Sequence, residues 1–249
     1  MSSATFAYLS HYVWQKVWRW LRREGVEVAR CTVERLMRSL GLTCAVRVRT
    51  VKTTVLEPTS GRPEGLVDRD FTASRQNRLW VTDFTYVATW AGFVYVAFVL
   101  GISSRRIVGW RVAGHKRTDL VLDALETAIW CQDRDGTVDL HGLLHHGDAG
   151  RQYVSVHYTD RLREANAALS VGTVGDAYDN ALMESTIGLF KTEIIKPGGL
   201  WRTLDDVEIA ALTWADWYNR QCLHSSGGSL PPLEYKAMYY YSHQATQNT

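Results

Sequence analysis

Residues 79–89 read LWVTDFTYVAT, and this stretch decides the fold class. It is rich in β-branched and aromatic side chains, which predicts a β-strand. Two runs of the same kind follow after short turns, FVYVAFVLGI at 93–102 and RIVGWRVA at 106–113. Because short turns join neighbouring strands, we expect an antiparallel three-stranded meander.

The segment 84–104 contains no charged residue, and its length could in principle cross a bilayer. Its middle, Thr89-Trp90-Ala91-Gly92, carries a turn signal, and both flanks have strand composition. We therefore predict a buried hairpin and no membrane association.

Downstream of the meander, the pattern changes from period two to the helical period. A helix is predicted near 120–129, followed by a short apolar run at 140–144 and a further helix after residue 180. Strands alternating with helices indicate a mixed sheet with helices packed on its faces, an α/β fold.

Asp83 stands in the middle of the first strand, where aspartate is rare and an unpaired buried charge costs several kcal/mol, on the order of 3–5. The residue therefore needs a partner. A structural aspartate bound to backbone or to an arginine remains the alternative.

Asp148 follows LLHHG, at the end of a later strand, and precedes Ala149-Gly150. Strand ends present side chains to clefts, although an aspartate beside glycine is also a common turn residue. The adjacent His145 and His146 raise a zinc alternative, but no other His or Cys clearly completes a tetrahedral set.

Glu184 belongs to a strongly patterned helix, with Asp176 or Asp179 as the expected cap and Lys196-Pro197-Gly198-Gly199 as the expected end. Asn180, Gly188 and Lys191 share the face of Glu184. An exposed helix face without function is the alternative. The apolar stripe comprises Met183, Ile187, Phe190 and Ile194.

Three carboxylates from a mid-strand, a strand end and a helix face could converge on two divalent ions about 3.5–4 Å apart, an arrangement used in attack on phosphodiesters. Oxygen ligands favour Mg²⁺ or Mn²⁺. Asp83, Asp148 and Glu184 are therefore the candidate catalytic and metal-binding residues.

The charge distribution separates a basic front from a mildly acidic remainder. Residues 1–62 hold 11 Lys and Arg against four Glu, whereas the rest hold 17 basic against 22 acidic residues. A basic module suggests contact with nucleic acid.

Two short helices are predicted within the basic module. Val13, Val17 and Leu21 mark the first, and Thr32 caps the second, which ends at Gly41. Its stripe is Val33, Leu36, Met37 and Leu40. Arg35 and Arg38 point away from this stripe and could meet DNA in a helix-turn-helix, with a solvated helical hairpin as the alternative.

The four cysteines lie far apart, which argues against a disulfide framework or a cysteine zinc cluster. The N-terminus lacks an export signal, so we expect a cytoplasmic protein, associated with the nucleoid when bound to DNA. We predict four segments: a helix-turn-helix module at 1–41, a basic linker at 42–77, a catalytic core with C-terminal helices at 78–235 and a tail at 236–249.

The chain resembles bacterial insertion-sequence transposases of the DDE type. The resemblance rests on NRLWVTDFTYV around Asp83, SSRRIVGW at 103–110, HHGDAGRQY around Asp148 and GDAYDNALMESTIGLFKTE around Glu184. Thirty-five residues separate Asp148 from Glu184, the spacing of the family's DD(35)E signature.

The resemblance implies an RNase H-like, retroviral-integrase-like core with a mixed five-stranded sheet, two Mg²⁺ or Mn²⁺ ions, and cleavage and strand transfer at the ends of the element. It also implies binding of terminal inverted repeats and target DNA, with Asn180 and Lys191 near the DNA end. Joining two ends needs at least two protomers, so a homodimer or larger assembly is expected on DNA.

Some positions depart from the family pattern. Gly101 replaces an Asp, and Ala149 and Arg151 replace an Arg and a Ser beside Asp148. A truncated remnant that binds DNA without chemistry is therefore an alternative hypothesis, and a hydrolytic RNase H-like nuclease is another.

Overall fold

The computed structural model describes residues 14–42, 75–135, 140–148, 150, 152–171 and 181–247. At its centre is a five-stranded sheet of order β3-β2-β1-β4-β5. The first three strands form the predicted antiparallel meander, and β4 and β5 are added in parallel. The strands are β1 (Leu79–Thr89), β2 (Gly92–Gly101), β3 (Ile107–Ala113), β4 (Leu144–Gly147) and β5 (Ala168–Val171).

Helices cover both faces of the sheet. On one face, α3 (Thr118–Arg134) and α4 (Val156–Glu164) pack over Trp80 and Val99. On the other face, α5 (Ala181–Phe190) and α6 (Leu204–Arg220) pack over Val81 and Phe98. A last helix, α7 (Pro232–Gln247), contacts α6.

The uncharged segment forms the hairpin that its turn signal predicts, and this hairpin is buried along β2 but exposed near its turn. The central residues of β2, from Val96 to Leu100, are fully buried between the two helical layers. In the part of the chain that the structure describes, no helix has the length and apolar character that a membrane span needs.

The approach to Asp148 differs in detail from the predicted pattern. The strand occupies Leu144–Gly147, at the C-terminal end of the apolar run 140–144 and beyond it. Leu140 and Leu143 are buried before the strand begins. The strand pairs with β1 through Leu79↔Leu144 and Val81↔His146.

The front of the described chain contains α1 (Trp14–Arg23) and α2 (Arg30–Ser39). Thr32 does not cap α2, because the helix already begins at Arg30 with Ala29 at its N-cap. Gly41 has a φ of 67° and ends the helix as predicted.

The predicted apolar stripe of α2 is only half buried. Val33 and Met37 are buried, but Leu36 and Leu40 are exposed, because neither is covered by the packing of α1 against α2. Val13 lies outside the described residues.

The first helix also packs against the sheet domain. Val17 and Trp20 contact the core cluster that α5 and α6 share. Arg23 forms an ion pair with Glu234, and Arg19 donates a hydrogen bond to Ser229. Helix α1 therefore packs on the sheet domain as well as on α2.

The structure bears on only one of the predicted boundaries around the linker and the tail. Residues 43–74, most of the predicted linker, lie outside the description. The predicted tail begins inside α7, where the Lys236 side chain is buried.

Candidate active site

Asp83 lies at the middle of β1, in the same alternation as Val81 and Val87, whose side chains join the core cluster beneath α5. Its Oδ1 accepts a 2.7 Å hydrogen bond from the backbone N–H of Phe84. Burial raises the pKa of Asp83 to about 7. The Phe84 hydrogen bond lowers this pKa, the carboxylates of Asp148 and Glu184 raise it further, and Lys191 lowers it.

Asp148 directly follows β4 and is exposed. Its position follows from the parallel register, because the last pair is Val81↔His146, and Asp83 and Asp148 stand two residues further along each strand. Gly147 permits this approach, since a Cβ there would lie 3.1 Å from the Tyr153 ring and 3.2 Å from Thr82 Cγ2. Ala149 and Arg151 lie outside the described residues.

Glu184 lies in the first turn of α5, on its exposed side. Met183 and Ile187 hold this helix on the sheet, as the predicted stripe requires. Because Glu184 raises the pKa of Asp83, the two carboxylates lie within electrostatic range of each other.

Lys191 follows α5 and is half-buried. Burial lowers the pKa of its ammonium group, while Asp83 raises it and Lys196 lowers it. The Nζ atom lies 5.1 Å from the centroid of the Tyr86 ring. The lysine is thus a cation beside the carboxylates.

The three candidate carboxylates come from separate elements, and the charges of Asp148 and Glu184 both act on Asp83. Within the ranges that the structure describes, no three His, Cys, Asp or Glu side chains lie close enough together to hold one metal ion. The three carboxylates therefore influence one another electrostatically, but they are too far apart to bind one metal ion together.

The other candidate DNA-binding residues lie on α2 or outside the described residues. Arg35 and Arg38 are exposed on α2, and Arg38 forms a 2.8 Å ion pair with Glu34. Asn180 and the candidate caps Asp176 and Asp179 lie outside the described residues.

His145 and His146 are buried and hydrogen-bonded. Nε2 of His145 lies 2.6 Å from the Tyr158 hydroxyl, and Nδ1 of His146 lies 3.0 Å from Ser170 Oγ. Burial, aided by the neighbouring His146, lowers the pKa of His145 to about 3. Both histidines are thus held within the core by β4, and Nδ1 of His145 is buried there without a hydrogen-bond partner.

The end of the Glu184 helix contains a feature that the helical period did not predict. After Phe190, a π-helical turn runs over Lys191–Ile195, and a final turn continues to Gly198. The helix therefore ends at Gly199, whose φ is 68°, and includes Lys196, Pro197 and Gly198.

The π turn buries Glu193, which sequence reasoning missed. Its Oε2 accepts a 2.8 Å hydrogen bond from Nε1 of Trp214 on α6. Burial raises the pKa of Glu193 to about 7, and the Trp214 hydrogen bond and the charge of Lys16 lower it. Glu193 stands three residues after Phe190, a spacing as compatible with the buried stripe as that of the partly buried Ile194.

Comparison with known families covers both parts of the molecule. Residues 73–177 and 166–232 each match an integrase core domain, and residues 10–50 match an HTH-like domain. The α/β core with a five-stranded mixed sheet and a small N-terminal helix-turn-helix-like module is thereby confirmed.

Two relatives resemble the chain over most of its length. A Mycobacterium tuberculosis protein assigned as the transposase of insertion sequence element IS986/IS6110 is 52% identical over 230 residues, which are 92% of this chain and 83% of the relative. The Shigella sonnei transposase for insertion sequence element IS629 is 48% identical over 228 residues, or 92% of this chain and 74% of the relative.

Among solved structures, the simian T-cell lymphotropic virus intasome in complex with PP2A regulatory subunit B56 gamma has a similar chain. The TM-score is 0.52 at 15% identity, over 72% of this chain and 60% of that chain, which is a likeness of fold. From the core and HTH-like matches together with the two relatives, the chain belongs to the bacterial insertion-sequence transposases that carry an integrase core domain.

Proposed function

We propose that this protein is a DDE polynucleotidyl transferase, which cleaves DNA at the ends of an insertion sequence and joins the 3′-hydroxyl ends to target DNA. Asp83, Asp148 and Glu184 are its catalytic carboxylates. The observation that carries the proposal is the parallel register Val81↔His146, which brings Asp83 and Asp148 to adjacent positions, and burial and the charges of Asp148 and Glu184 raise the pKa of Asp83 there. Perturbed carboxylates with such partners are typical of functional sites.

The donor chemistry of this site fits a hard divalent cation. All three side chains offer carboxylate oxygens, and the half-buried Asp83 feels two like charges, an arrangement that a cation would stabilise. We propose that Asp83, Asp148 and Glu184 hold two Mg²⁺ or Mn²⁺ ions. When bound, such a pair activates the attacking hydroxyl and stabilises the leaving oxygen.

Different cationic residues are proposed to contact different parts of the DNA. Lys191 places an ammonium group beside the carboxylates, where it can pair with a phosphate near the reacting bond. The exposed Arg35 and Arg38 on α2 are proposed to contact the terminal inverted repeats. By the family pattern, Asn180 assists Lys191 in positioning the DNA end.

We propose a helix-turn-helix module at 1–41, a linker at 42–77 and a core from residue 78 that includes all of α7, which runs across the predicted boundary at residue 236, with at least two protomers on paired ends. The comparisons contain nothing that favours the alternative of a remnant that binds DNA without chemistry, because the relatives over 92% of the chain carry transposase names.

Strand transfer is the direct test of the proposed function. The purified full-length chain is incubated with Mg²⁺, a labelled duplex carrying the element end and a supercoiled target plasmid. We expect joined products from the wild type and none above background from Asp83→Asn, Asp148→Asn or Glu184→Gln. Asp216→Asn, which changes an exposed carboxylate on α6, is the matched control and should retain activity.

Binding and chemistry are separated by the same variants. Glu184→Gln should leave the affinity for element-end DNA within about twofold, because it removes a proposed metal ligand and no phosphate contact. Joining by Glu184→Gln at the normal rate would contradict its assignment. Shortened products without joined molecules would instead indicate a hydrolytic nuclease.

Lys191 has a test of its own in the salt dependence of end binding. Loss of one phosphate contact should reduce the slope of log K against log salt by about 0.9. We expect Lys191→Ala to bind element-end DNA more weakly and with a shallower slope. Arg163→Ala, which removes an exposed cation on α4, is the control. Equal slopes for Lys191→Ala and wild type would contradict a phosphate contact.

A further inference from the structure

The hairpin that joins β1 to β2 carries an exposed aromatic cluster that the proposed chemistry does not use. We name Tyr86, Trp90 and Phe93 the hairpin platform. Their exposed fractions are 59%, 68% and 58%. The rings of Tyr86 and Phe93 meet edge to face, with centroids 5.4 Å apart. Three large aromatic side chains exposed on one hairpin mark an interaction surface.

Each end of the platform carries a cation. Lys191 Nζ lies 5.1 Å from the centroid of the Tyr86 ring, and Arg202 Cζ lies 5.5 Å from that of Trp90. These distances are typical of cation–π contacts. The platform therefore combines aromatic rings with positive charge.

The platform is held in place by backbone contacts. The N–H of Trp90 donates a 2.9 Å hydrogen bond to the carbonyl of Trp201, and Thr89 forms a β-bridge with Trp201. The turn at the tip is thus fixed to the chain that follows the Glu184 helix. Side-chain substitutions at Trp90 leave these backbone bonds available.

Lys191 links the platform to the carboxylate site. Its Nζ lies over the Tyr86 ring, and its charge lowers the pKa of Asp83. Tyr86 itself stands three residues after Asp83 on β1, an odd spacing that turns the two side chains to opposite faces of the strand. A ligand seated on the rings would consequently meet the cation that also acts on Asp83.

Rings and cations together favour one kind of occupant. An unpaired nucleic-acid strand offers base faces for stacking and phosphates for the cations, whereas a duplex covers its base faces within the helix. Aromatic rings and arginine also occur in protein interfaces, so a protein partner is distinguished by the oligomer measurement below. We propose that the hairpin platform binds an unpaired DNA strand by stacking its bases, with Lys191 and Arg202 pairing with its phosphates. This inference rests on the proposed function for the identity of the nucleic acid.

The test uses the full chain in EDTA, so that binding is measured without any chemistry. The probe is a fluorescein-labelled 15-nucleotide oligodeoxythymidylate, followed by fluorescence anisotropy, with a 15-base-pair duplex in parallel. Because aromatic stacking is worth roughly 1–3 kcal/mol per base, we expect Trp90→Ala and Phe93→Ala each to weaken single-strand binding about 5- to 100-fold. Duplex affinity should change less than about twofold.

Trp130 supplies a matched control. It is 56% exposed on α3 and has Arg134 Cζ 4.8 Å from its ring centroid, so it reproduces the exposed ring and its cation away from the hairpin. Trp130→Ala should leave single-strand affinity unchanged. Equal affinities of Trp90→Ala and Trp130→Ala would overturn the proposal, as would equal losses for single strand and duplex.

Conservative variants separate stacking from general hydrophobicity. Trp90→Phe keeps an aromatic face and should retain most single-strand affinity, whereas Trp90→Leu keeps apolar bulk and should lose it. Wild-type affinity in Trp90→Leu would overturn the proposal. A fall in oligomer mass by sedimentation in Trp90→Ala, with DNA affinity unchanged, would instead identify a protein interface. Circular dichroism melting verifies that each variant is folded.

The outcomes distinguish this proposal from the proposed function. If the wild type fails to join DNA yet its single-strand binding depends on Trp90, the platform stands and strand transfer is wrong. If joining depends on Asp83 while Trp90→Ala binds the single strand normally, strand transfer stands and the platform is wrong.

Discussion

Glu193 carries a stability cost that depends on pH. Its carboxyl group is buried, and its pKa is raised from an ordinary value near 4.5 to about 7. Below pH 4.5 the group is protonated in both the folded and unfolded states. Between pH 4.5 and 7 the unfolded chain ionises first, so the free energy of unfolding falls as pH rises. The full cost, about 3 kcal/mol, is present above pH 7.

Glu193→Gln tests this cost, because it removes the charge and keeps an oxygen that can accept from Trp214. The wild type should lose free energy of unfolding between pH 5 and pH 8, and the variant should not. We expect the stability difference in favour of the variant to grow by about 1–3 kcal/mol over this range. Urea unfolding of both proteins at the two pH values gives the difference. If the free energy of unfolding changed equally with pH in both proteins, Glu193 would not be the source of the pH-dependent cost.

At the scale of single residues, the sequence indicated those carboxylates whose position was unusual for their type. Asp83 stood out because aspartate is rare in mid-strand, and the charges of Asp148 and Glu184 raise its pKa in the folded chain. Glu193 did not stand out, because the helical period was extended past Phe190 without the π turn. A π turn depends on packing against α6, which a sequence period does not report.

Among the elements, β3 and α3 approach each other at Gly109 more closely than any larger residue permits. A Cβ at Gly109 would lie 2.1 Å from the carbonyl oxygen of Ala124 and 2.8 Å from Ala128 Cβ. Since Ala124 belongs to the helix backbone, the helix would have to move as a whole. We expect Gly109→Ala to lower the free energy of unfolding by about 3 kcal/mol or more.

Gly101 is the matched control within the same sheet. A Cβ at this position would meet Val108, Trp80 and Arg106 at 3.7–3.9 Å, which is ordinary van der Waals contact. Gly101→Ala should therefore change the free energy of unfolding by less than about 1 kcal/mol. Urea unfolding compares the two variants, and similar losses for both would contradict the close approach at Gly109.

Element type was easier to predict than element ends. The meander follows from strands joined by short turns, which composition and period report well. The strand order and β5 did not follow from the residues, because pairing between distant strands is a tertiary property. The start of α2 did not follow, because Arg30 and Cys31 continue the helix in front of Thr32 without a side-chain cap. Likewise, exposure of Leu36 and Leu40 depends on which helices cover α2, a tertiary property.

For the whole molecule, the sequence suggested modules joined by a linker, and the structure adds contacts between them. Val17 and Trp20 of α1 pack on the same cluster as α5 and α6. These residues read as the apolar side of an isolated helix, because periodicity identifies a buried face without naming its partner. The carboxylate helix and the front module therefore share one packed core.

The end of the chain is anchored in a similar way by Lys236, the first residue of the predicted tail. Its Nζ donates to Asp135 Oδ2 at 2.8 Å and to Gln132 Oε1 at 3.0 Å, and Arg106 donates to the same carboxylate. Burial raises the pKa of Asp135, but the hydrogen bonds from Lys236 and Arg106 outweigh it and lower the pKa overall. The cluster ties α7 to the end of α3.

Lys236→Ala should therefore destabilise the molecule by about 1–3 kcal/mol, less than a fully buried pair would lose, because Asp135 keeps Arg106 and some solvent. Arg220→Ala breaks an exposed ion pair with Asp216 on α6 and should cost less than about 1 kcal/mol. Urea unfolding at pH 7 compares the two variants. Because protonation of Asp135 removes its attraction for Lys236, the difference between them should shrink as pH falls below the ordinary aspartate pKa. Equal stability of Lys236→Ala and wild type would mean that α7 is held by its apolar contacts alone.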